Sequence, residues 1–460
     1  MENVQAISPP VQKDGLKIRE RMGYGFGDAG GTVITGLISN FLTFFYTDIF
    51  GLTPAIVGTI FVVLRIFDAV TDPLVGVIAD KTETKHGKFR PFILWTAVPL
   101  ALICIMTFTV PDLSYGWKVF YAIVTYFGLS LLYTLNNVPY CALITRITDN
   151  PAEVISCQSY RFAISGVAGF AVSAGLPFLV TYFGEGDQAL GYKVGVGILA
   201  FAAMLMILFC FFNTKEHIKA KTTKFDLKKN LKNIRQNDQL ILTFIMSLLL
   251  ITIFNTKGGA AMYFITYVLN EGGTYVSWFF GLATLGGIIG ALILPYFTQR
   301  FKVRDIYFAI NAILAVAHFV VYFVPGDSPT LWLGLVFICC VVFGFALPLH
   351  FTMVAFADEY GVFKTGVRTS GMNFAFNLFF IKLAWALSGL IISGVLVAVS
   401  YSAGAENQTP LSLQGISLLS TIIPGVLHLL LALTVKRFFV DKELLSSLAM
   451  KKLETGQASI

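Results

Sequence analysis

Charge is what this chain lacks most. Asp, Glu, Lys and Arg fill 13% of its positions, while 56% are hydrophobic and 43 are phenylalanine. So little charge excludes a disordered polyelectrolyte, and no soluble fold of 460 residues hides that much hydrocarbon. Long polar stretches are scarce too. Inside the chain, Asn213–Gln239 is the one extended polar, lysine-rich connection. The six cysteines (Cys104, Cys141, Cys157, Cys210, Cys339, Cys340) lack metal-ligand spacing and sit in or beside apolar runs. They read as reduced packing residues. Neither a nucleophile–base pair nor a metal set stands out, so an enzyme is not expected. No cleavable leader is visible: the first apolar segment follows a polar N-terminus, runs long and lacks a small-residue cleavage motif.

What remains is hydrocarbon at regular intervals. Apolar runs of about 20 residues recur, each long enough to cross ~30 Å of bilayer as a helix, and too long and uniform for barrel strands. Spans are expected at 24–50, 54–79, 92–110, 118–145, 160–183, 192–212, 239–269, 275–298, 306–325, 331–356, 370–400 and 415–436. That is an all-α polytopic membrane protein of twelve helices. Its loops alternate in charge. One set holds Arg19, Arg21, Lys81, Lys85, Lys88, Arg90, Arg146, Arg300, Lys302, Arg304, Lys364, Arg368, Lys436 and Arg437; the other is acidic or neutral, with Asp48, Asp112, Glu185, Glu271 and Asp327. The positive-inside rule then puts both termini in the cytoplasm. The net charge of +7 is therefore topological and does not mark a nucleic-acid partner. The basic linker at 213–238 separates six-helix bundles at 1–212 and 239–440, with a tail at 441–460. Two such halves around a midplane site are the plan of many secondary transporters.

Three charges interrupt the second span, in Val63-Leu64-Arg65-Ile66-Phe67-Asp68-Ala69-Val70-Thr71-Asp72-Pro73. A charge at mid-bilayer costs ~2.5–3.5 kcal/mol on insertion scales, so it marks a task. Asp68 and Asp72 lie one helical turn apart and share a face, which makes a small cation or proton site. Pro73 frees the carbonyl of Ala69, Thr71 adds a hydroxyl, and Arg65 could neutralise one carboxylate in the empty state. The fourth span carries Thr134, Asn136 and Asn137 near Pro139; such groups bind sugar hydroxyls or glue helices, and the sequence leaves both open. Arg161, placed at the cytoplasmic end of the fifth span, reads in isolation as a snorkelling residue. Lys382 is deep in the eleventh span, which also contains Asn377, and a pathway role is expected for it. Lys257 adjoins Gly258-Gly259, a probable helix break by composition. Asp28 stands among Gly25, Gly27, Gly30 and Gly31, facing a cavity or a helix neighbour. Asp80 with Lys88 and Arg90 could latch helices together on the cytoplasmic face.

Tyr24-Gly25-Phe26-Gly27, Phe45-Tyr46-Thr47-Asp48, Arg65 through Pro73, Gly87-Lys88-Phe89-Arg90-Pro91, Asn137-Val138-Pro139-Tyr140 and Tyr360-Gly361-Val362-Phe363-Lys364 resemble the melibiose permease family, in order along nearly the whole chain. These are the glycoside–pentoside–hexuronide:cation symporters of the major facilitator superfamily. The resemblance implies that Asp68 and Asp72 bind the coupling cation with Thr134, that Arg161 belongs to the sugar site, and that Lys382 matches a family lysine. With the residues read above, the expected cation site is Asp68, Asp72, Thr71 and Thr134, with Na⁺ possible at the two carboxylates; the expected sugar site is Asn137, Arg161, Lys382, Asp28, Thr32, Asn136 and Asn377; and the expected cytoplasmic gate is Asp80, Lys88 and Arg90. It reverses the snorkelling reading of Arg161.

Four departures narrow the expectation. The namesake of the family has a Lys-Asp pair where this chain has Gly31-Thr32, Asp at Asn137, Trp at Cys141 and Asn at Thr71. The carboxylates that grip galactoside hydroxyls are missing, which argues against melibiose and toward a pentoside, another glycoside or an anionic hexuronide. The thinner oxygen set favours H⁺ over Na⁺. The expectation is therefore a monomeric importer of a small glycoside in a bacterial inner membrane, driven by a coupling cation. A cation-coupled exporter, a lysolipid carrier of the same fold and a transport-dead sensor are the rivals.

Overall fold

The computed structural model describes residues 16–148, 151–218, 234–365, 370–405 and 407–454; within helices the side chains of Arg65, Pro73, Asp80 and some others lie outside the description. Everything regular in it is helical. Proline sets several starts, at Pro54, Pro329 and Pro410, where its missing N–H costs nothing. The N-terminal half contains α1 (Ile18–Leu37, prolonged by π turns at Ile38–Leu42 and Phe45–Ile49), α2 (Pro54–Lys81), α3 (Arg90–Thr107), α4 (Tyr115–Ile147), α5 (Pro151–Gly184) and α6 (Gln188–Asn213). The C-terminal half contains α7 (Asp238–Tyr263, prolonged by a π turn at Phe264–Val268), α8 (Thr274–Thr298), α9 (Val303–Val321), α10 (Pro329–Phe343), α11 (Ala346–Thr365), α12 (Ser370–Ala398), α13 (Pro410–Ser420) and α14 (Ile422–Val435). The helix pairs α10–α11 and α13–α14 are single rods, broken at Gly344–Phe345 and at Thr421. A further helix, α15 (Lys442–Glu454), occupies the segment expected to be a plain tail.

Among the described residues, ten rods are long and apolar enough to cross a membrane. The other two long rods are α1 and α2. In α2 a shorter apolar piece, Pro54–Leu64, precedes the charged centre. One apolar core, built around Tyr24, Phe45 and Tyr140, continues into Tyr263, Phe280 and Tyr401 of the C-terminal half; a second, around Phe244, Tyr307 and Met353, lies within the C-terminal half.

The halves meet along three seams: α2 with α12, α5 with α8, and the first π turn of α1 with α7. Neighbours along the seams include Gly58 and Ser393, Gly389 and Phe61, Gly281 and Ala174. All lie between mid-helix and the acidic-loop end of the molecule. The expected break at Gly258-Gly259 does not occur, since α7 runs unbroken through both. Those glycines serve packing instead. A Cβ on Gly258 would come within 2.8 Å of Asn40, and one on Gly259 within 2.7 Å of Ile392. Absent side chains here let the halves close on each other.

Among the described residues, the ion pairs at the basic end stay inside one half. Arg21 pairs with Glu153 at 2.9 Å, Lys364 with Asp238 at 2.6 Å, and Lys302 with Asp441 at 2.9 Å. The molecule is therefore sealed at its acidic end and joined less at its basic end.

Candidate functional site

Asp68 and Asp72 project from the middle of α2 one turn apart, and α4 answers them at the same interval. Ser130 donates to Asp68 Oδ1 at 2.6 Å and Thr134 donates to Asp72 Oδ1 at 3.1 Å. Two neighbouring helices thus present matched i, i+4 rungs, carboxylate on one and hydroxyl on the other. Asp68 is 2% exposed. Asp72 is open on its far side, where Lys382 of α12 donates its ammonium to Oδ2. This ion pair joins the two halves at mid-membrane. Both side chains are about a quarter exposed, at 25% and 24%.

Thr71, expected as a cation ligand, does not aim its hydroxyl at the carboxylates. Its Oγ1 donates back to the Asp68 carbonyl at 3.3 Å, a common resting place for a helical threonine. The hydroxyl that reaches Asp68 comes from Ser130, which sequence reasoning passed over. The signal was its spacing: Ser130 precedes Thr134 by four residues, as Asp68 precedes Asp72.

A second polar group lies across α1, α4 and α5. Arg161 pairs with Asp28 at 2.8 Å, and Ser165 donates to the other oxygen of Asp28 at 2.7 Å. The guanidinium stands 5.6 Å from the Tyr140 ring, which stacks on Tyr24 at 4.9 Å. Arg161 was placed at a helix mouth. Since α5 starts at Pro151, the residue sits about 15 Å inside the rod, so snorkelling is ruled out. Its Nε is buried with no partner. Cys141, on α4 between the two groups, feels the charges of Arg161, Asp28 and Lys382 together. Its thiol faces Asn137 Oδ1 at 3.8 Å. Thr32 flanks this region on α1, where its methyl group approaches Gly169 of α5.

Two expected sugar contacts are spent on packing. Asn136 is 3% exposed and donates to Thr96 of α3 at 2.7 Å, so it holds helices together. Asn377, 1% exposed, accepts from Ser247 of α7, which also bonds His350 of α11 at 2.6 Å. Both amides point into bundle interiors because each finds a hydroxyl there. Lys257 lies on α7, within the C-terminal half. The expected gate differs as well. Asp80 and Arg65 lie outside the described side chains. The 88–90 turn is held by Glu216, whose carboxylate accepts the N–H groups of Lys88 (2.9 Å), Phe89 (2.7 Å) and Arg90 (3.0 Å). Arg90 donates to the Phe211 carbonyl at 2.7 Å, so this turn clamps the linker to the N-terminal half.

Between the halves, on the acidic side of the Lys382–Asp72 pair, a space of about 30 Å³ is lined by Ser39, Phe61, Asn255, Trp385 and Ser388 among others. That suits a water or two. The arrangement has two charge-balanced pairs, one of them shared between halves, in a low-dielectric setting. Such a site can trade one cation for another at Asp72 and can offer Asp28 and Arg161 to a polyhydroxyl ligand.

The sequence from 23 to 442 matches the family model described as MFS/sugar transport protein. Two proteins of Escherichia coli (strain K12) are similar over nearly full length. "Inner membrane symporter YicJ" is 36% identical, covering 93% of each chain; "Putative glycoside/cation symporter YagG" is 34% identical, covering 90% of each. Among solved structures, that of a D-xylose-proton symporter superposes with a TM-score of 0.64 at 12% identity, over 92% of this chain and 96% of that one.

Proposed function

We propose a function from one premise: this chain belongs to the MFS/sugar transport protein family. It is a multi-pass membrane protein that moves a sugar together with a cation. In our reading it works as a monomer in a bacterial inner membrane, imports a glycoside by alternating access, and keeps its basic end in the cytoplasm.

The observation that carries this reading is the pair of Lys382 and Asp72. An ammonium from one half occupies a carboxylate of the other, beside a second carboxylate backed by Ser130. A coupling cation that takes Asp72 releases Lys382. The freed ammonium then turns to an oxygen of the sugar, whose other hydroxyls engage Arg161 and Asp28. Cation and sugar favour the same state, which is what coupling requires. One charge moving down ~150 mV releases ~3.5 kcal/mol, enough for roughly 300-fold accumulation of a neutral sugar. We favour H⁺ as the coupling ion. A proton needs no cage, and with Thr71 turned back on its own helix the hydroxyls aimed at the carboxylates are those of Ser130 and Thr134.

Uptake of labelled glycosides into right-side-out vesicles, with an imposed pH or Na⁺ gradient, tests the reading. Asp72→Asn should abolish uphill accumulation while leaving the protein inserted. Unchanged uphill uptake refutes the cation role. One observation favours a rival substrate: an apolar cavity of about 330 Å³ between α2 and α12, lined by Ala55, Gly58, Val62, Leu390, Ser393 and Val397. Labelled lysolipid in the same assay decides between the two.

A further inference from the structure

The seal at the acidic end is built around one carboxylate. Asp48 lies in the last π turn of α1, Phe45–Ile49, in the N-terminal half. Its Oδ1 accepts the hydroxyl of Tyr401 at 2.5 Å, the hydroxyl of Tyr267 and the N–H of Gly404 at 3.4 Å. All three donors belong to the C-terminal half. Its Oδ2 is occupied by Thr47 at 2.5 Å, and Thr47 in turn meets Tyr263 of α7 at 2.7 Å. The rings close the same gap. Tyr263 and Tyr267 stand edge-on to Tyr401 at 5.6 and 5.7 Å, and Phe44 lies 5.3 Å from Tyr263. Gly404 has φ of +69°, a conformation natural to glycine, and this turns its N–H toward the carboxylate. Apart from the Lys382–Asp72 pair at mid-membrane, the seams named above bring together mostly apolar or small residues among the described ones.

We infer that Asp48 is the latch of the outer gate: its carboxylate holds the sealed state by gathering three donors from the opposite half, and the gate opens when they let go. This rests on alternating access and on neither the sugar nor the coupling ion. Hydrogen bonds to a charged acceptor are about twice as strong as neutral ones. They also need well-placed partners, so three of them on one carboxylate make a bistable contact that is whole or lost. Thr47 and Tyr263 position the carboxylate and the seam but do not carry the charge.

The test needs no substrate. Ser388→Cys, in a background freed of native cysteines, places a thiol on the small space just inside the seal. A bulky membrane-impermeant maleimide added from the acidic side reports how often the gate opens. Asp48→Asn keeps the shape and removes the charge; it should raise the labelling rate roughly tenfold, the order expected for losing one charge-assisted hydrogen bond net. Tyr401→Phe keeps the ring and removes one donor, and should raise labelling roughly threefold, so it serves even where Asp48→Asn reduces insertion. Labelling from the basic side should fall in the same variants. Wild-type rates from both sides in both variants overturn the latch. Loss of uphill uptake with unchanged labelling also overturns it, and leaves the symport reading standing.

Discussion

Replacing Lys382 with methionine removes the ammonium from Asp72 and keeps most of the side-chain volume. In the proposed reading Lys382 competes with the coupling cation, so its loss should tighten cation binding. The size follows from the burial of the pair. Breaking a fully buried ion pair costs ~3–5 kcal/mol, and an exposed one less than ~1 kcal/mol. Both partners are about a quarter exposed, at 25% and 24%, so a value near ~2 kcal/mol is the working figure. Relieving that competition corresponds to a roughly 30-fold rise in apparent cation affinity. Calorimetric titration of purified protein with Na⁺ at fixed pH, and with acid at fixed Na⁺, measures it. In vesicles the same variant should lose uphill accumulation, because the residue that senses the cation is gone. Cation affinity that is unchanged or weaker would refute the competition and make Lys382 a supporting ligand of the cation site.

Thr134→Val removes the hydroxyl on Asp72 at constant shape. With H⁺ as the coupling ion, losing a donor to the charged carboxylate should tighten proton binding several-fold. Weaker binding, measured by the same titrations, would mean that an oxygen ligand for Na⁺ was lost. Asn136→Leu breaks the bond to Thr96 and should lower stability by about 1 kcal/mol with the sugar KM unchanged. A KM shift at constant Tm would return Asn136 to the sugar site. Asp441 accepts from the Leu444 N–H at 2.8 Å and from Lys302, and these two contacts depress its pKa. A depressed carboxylate adds stability above its unfolded pKa and loses it as pH falls through the folded value. Protection of α15 against hydrogen exchange should therefore fade in acid below the ordinary carboxylate range. Asp441→Ala should show that fading already at neutral pH, by about 1 kcal/mol; equal protection in the variant refutes the cap.

Helices are legible in this sequence because twenty apolar residues in a row have few other fates. The carboxylate pair of the second span, Asp68 and Asp72, is legible for the converse reason, since charge in hydrocarbon demands an explanation. Partners across the fold are harder. Nothing local to Lys382 says that it meets Asp72, because the meeting is set by how α2 and α12 cross between halves. Asn136 and Asn377 misled for a similar reason. An amide in a membrane helix looks the same whether it faces a ligand or a hydroxyl on the next helix, and here Thr96 and Ser247 decide. The helix limits of α5 mattered most for Arg161. Pro151, a favoured first helical residue, was the available sign that the helix begins well before Tyr160.

If the cation binds at Asp72 and the sugar meets Lys382, as proposed above, the position of Lys382 gives a physical reason for strict coupling. In the empty carrier its charge and that of Asp72 cancel, so the halves can swing back without an uncompensated ion in the membrane. With the cation alone on Asp72, Lys382 is charged and has lost its partner, and carrying it through a closed, water-poor intermediate is costly. With sugar also bound, a sugar oxygen takes the ammonium and the penalty falls. The carrier thus moves when empty or doubly loaded and stalls with the cation alone, which is the leak a symporter has to prevent. The same logic explains why the lysine comes from the opposite half to the carboxylate. Were both on one helix, the cation could be exchanged without either half registering it; placed across the seam, the exchange changes how the halves hold each other.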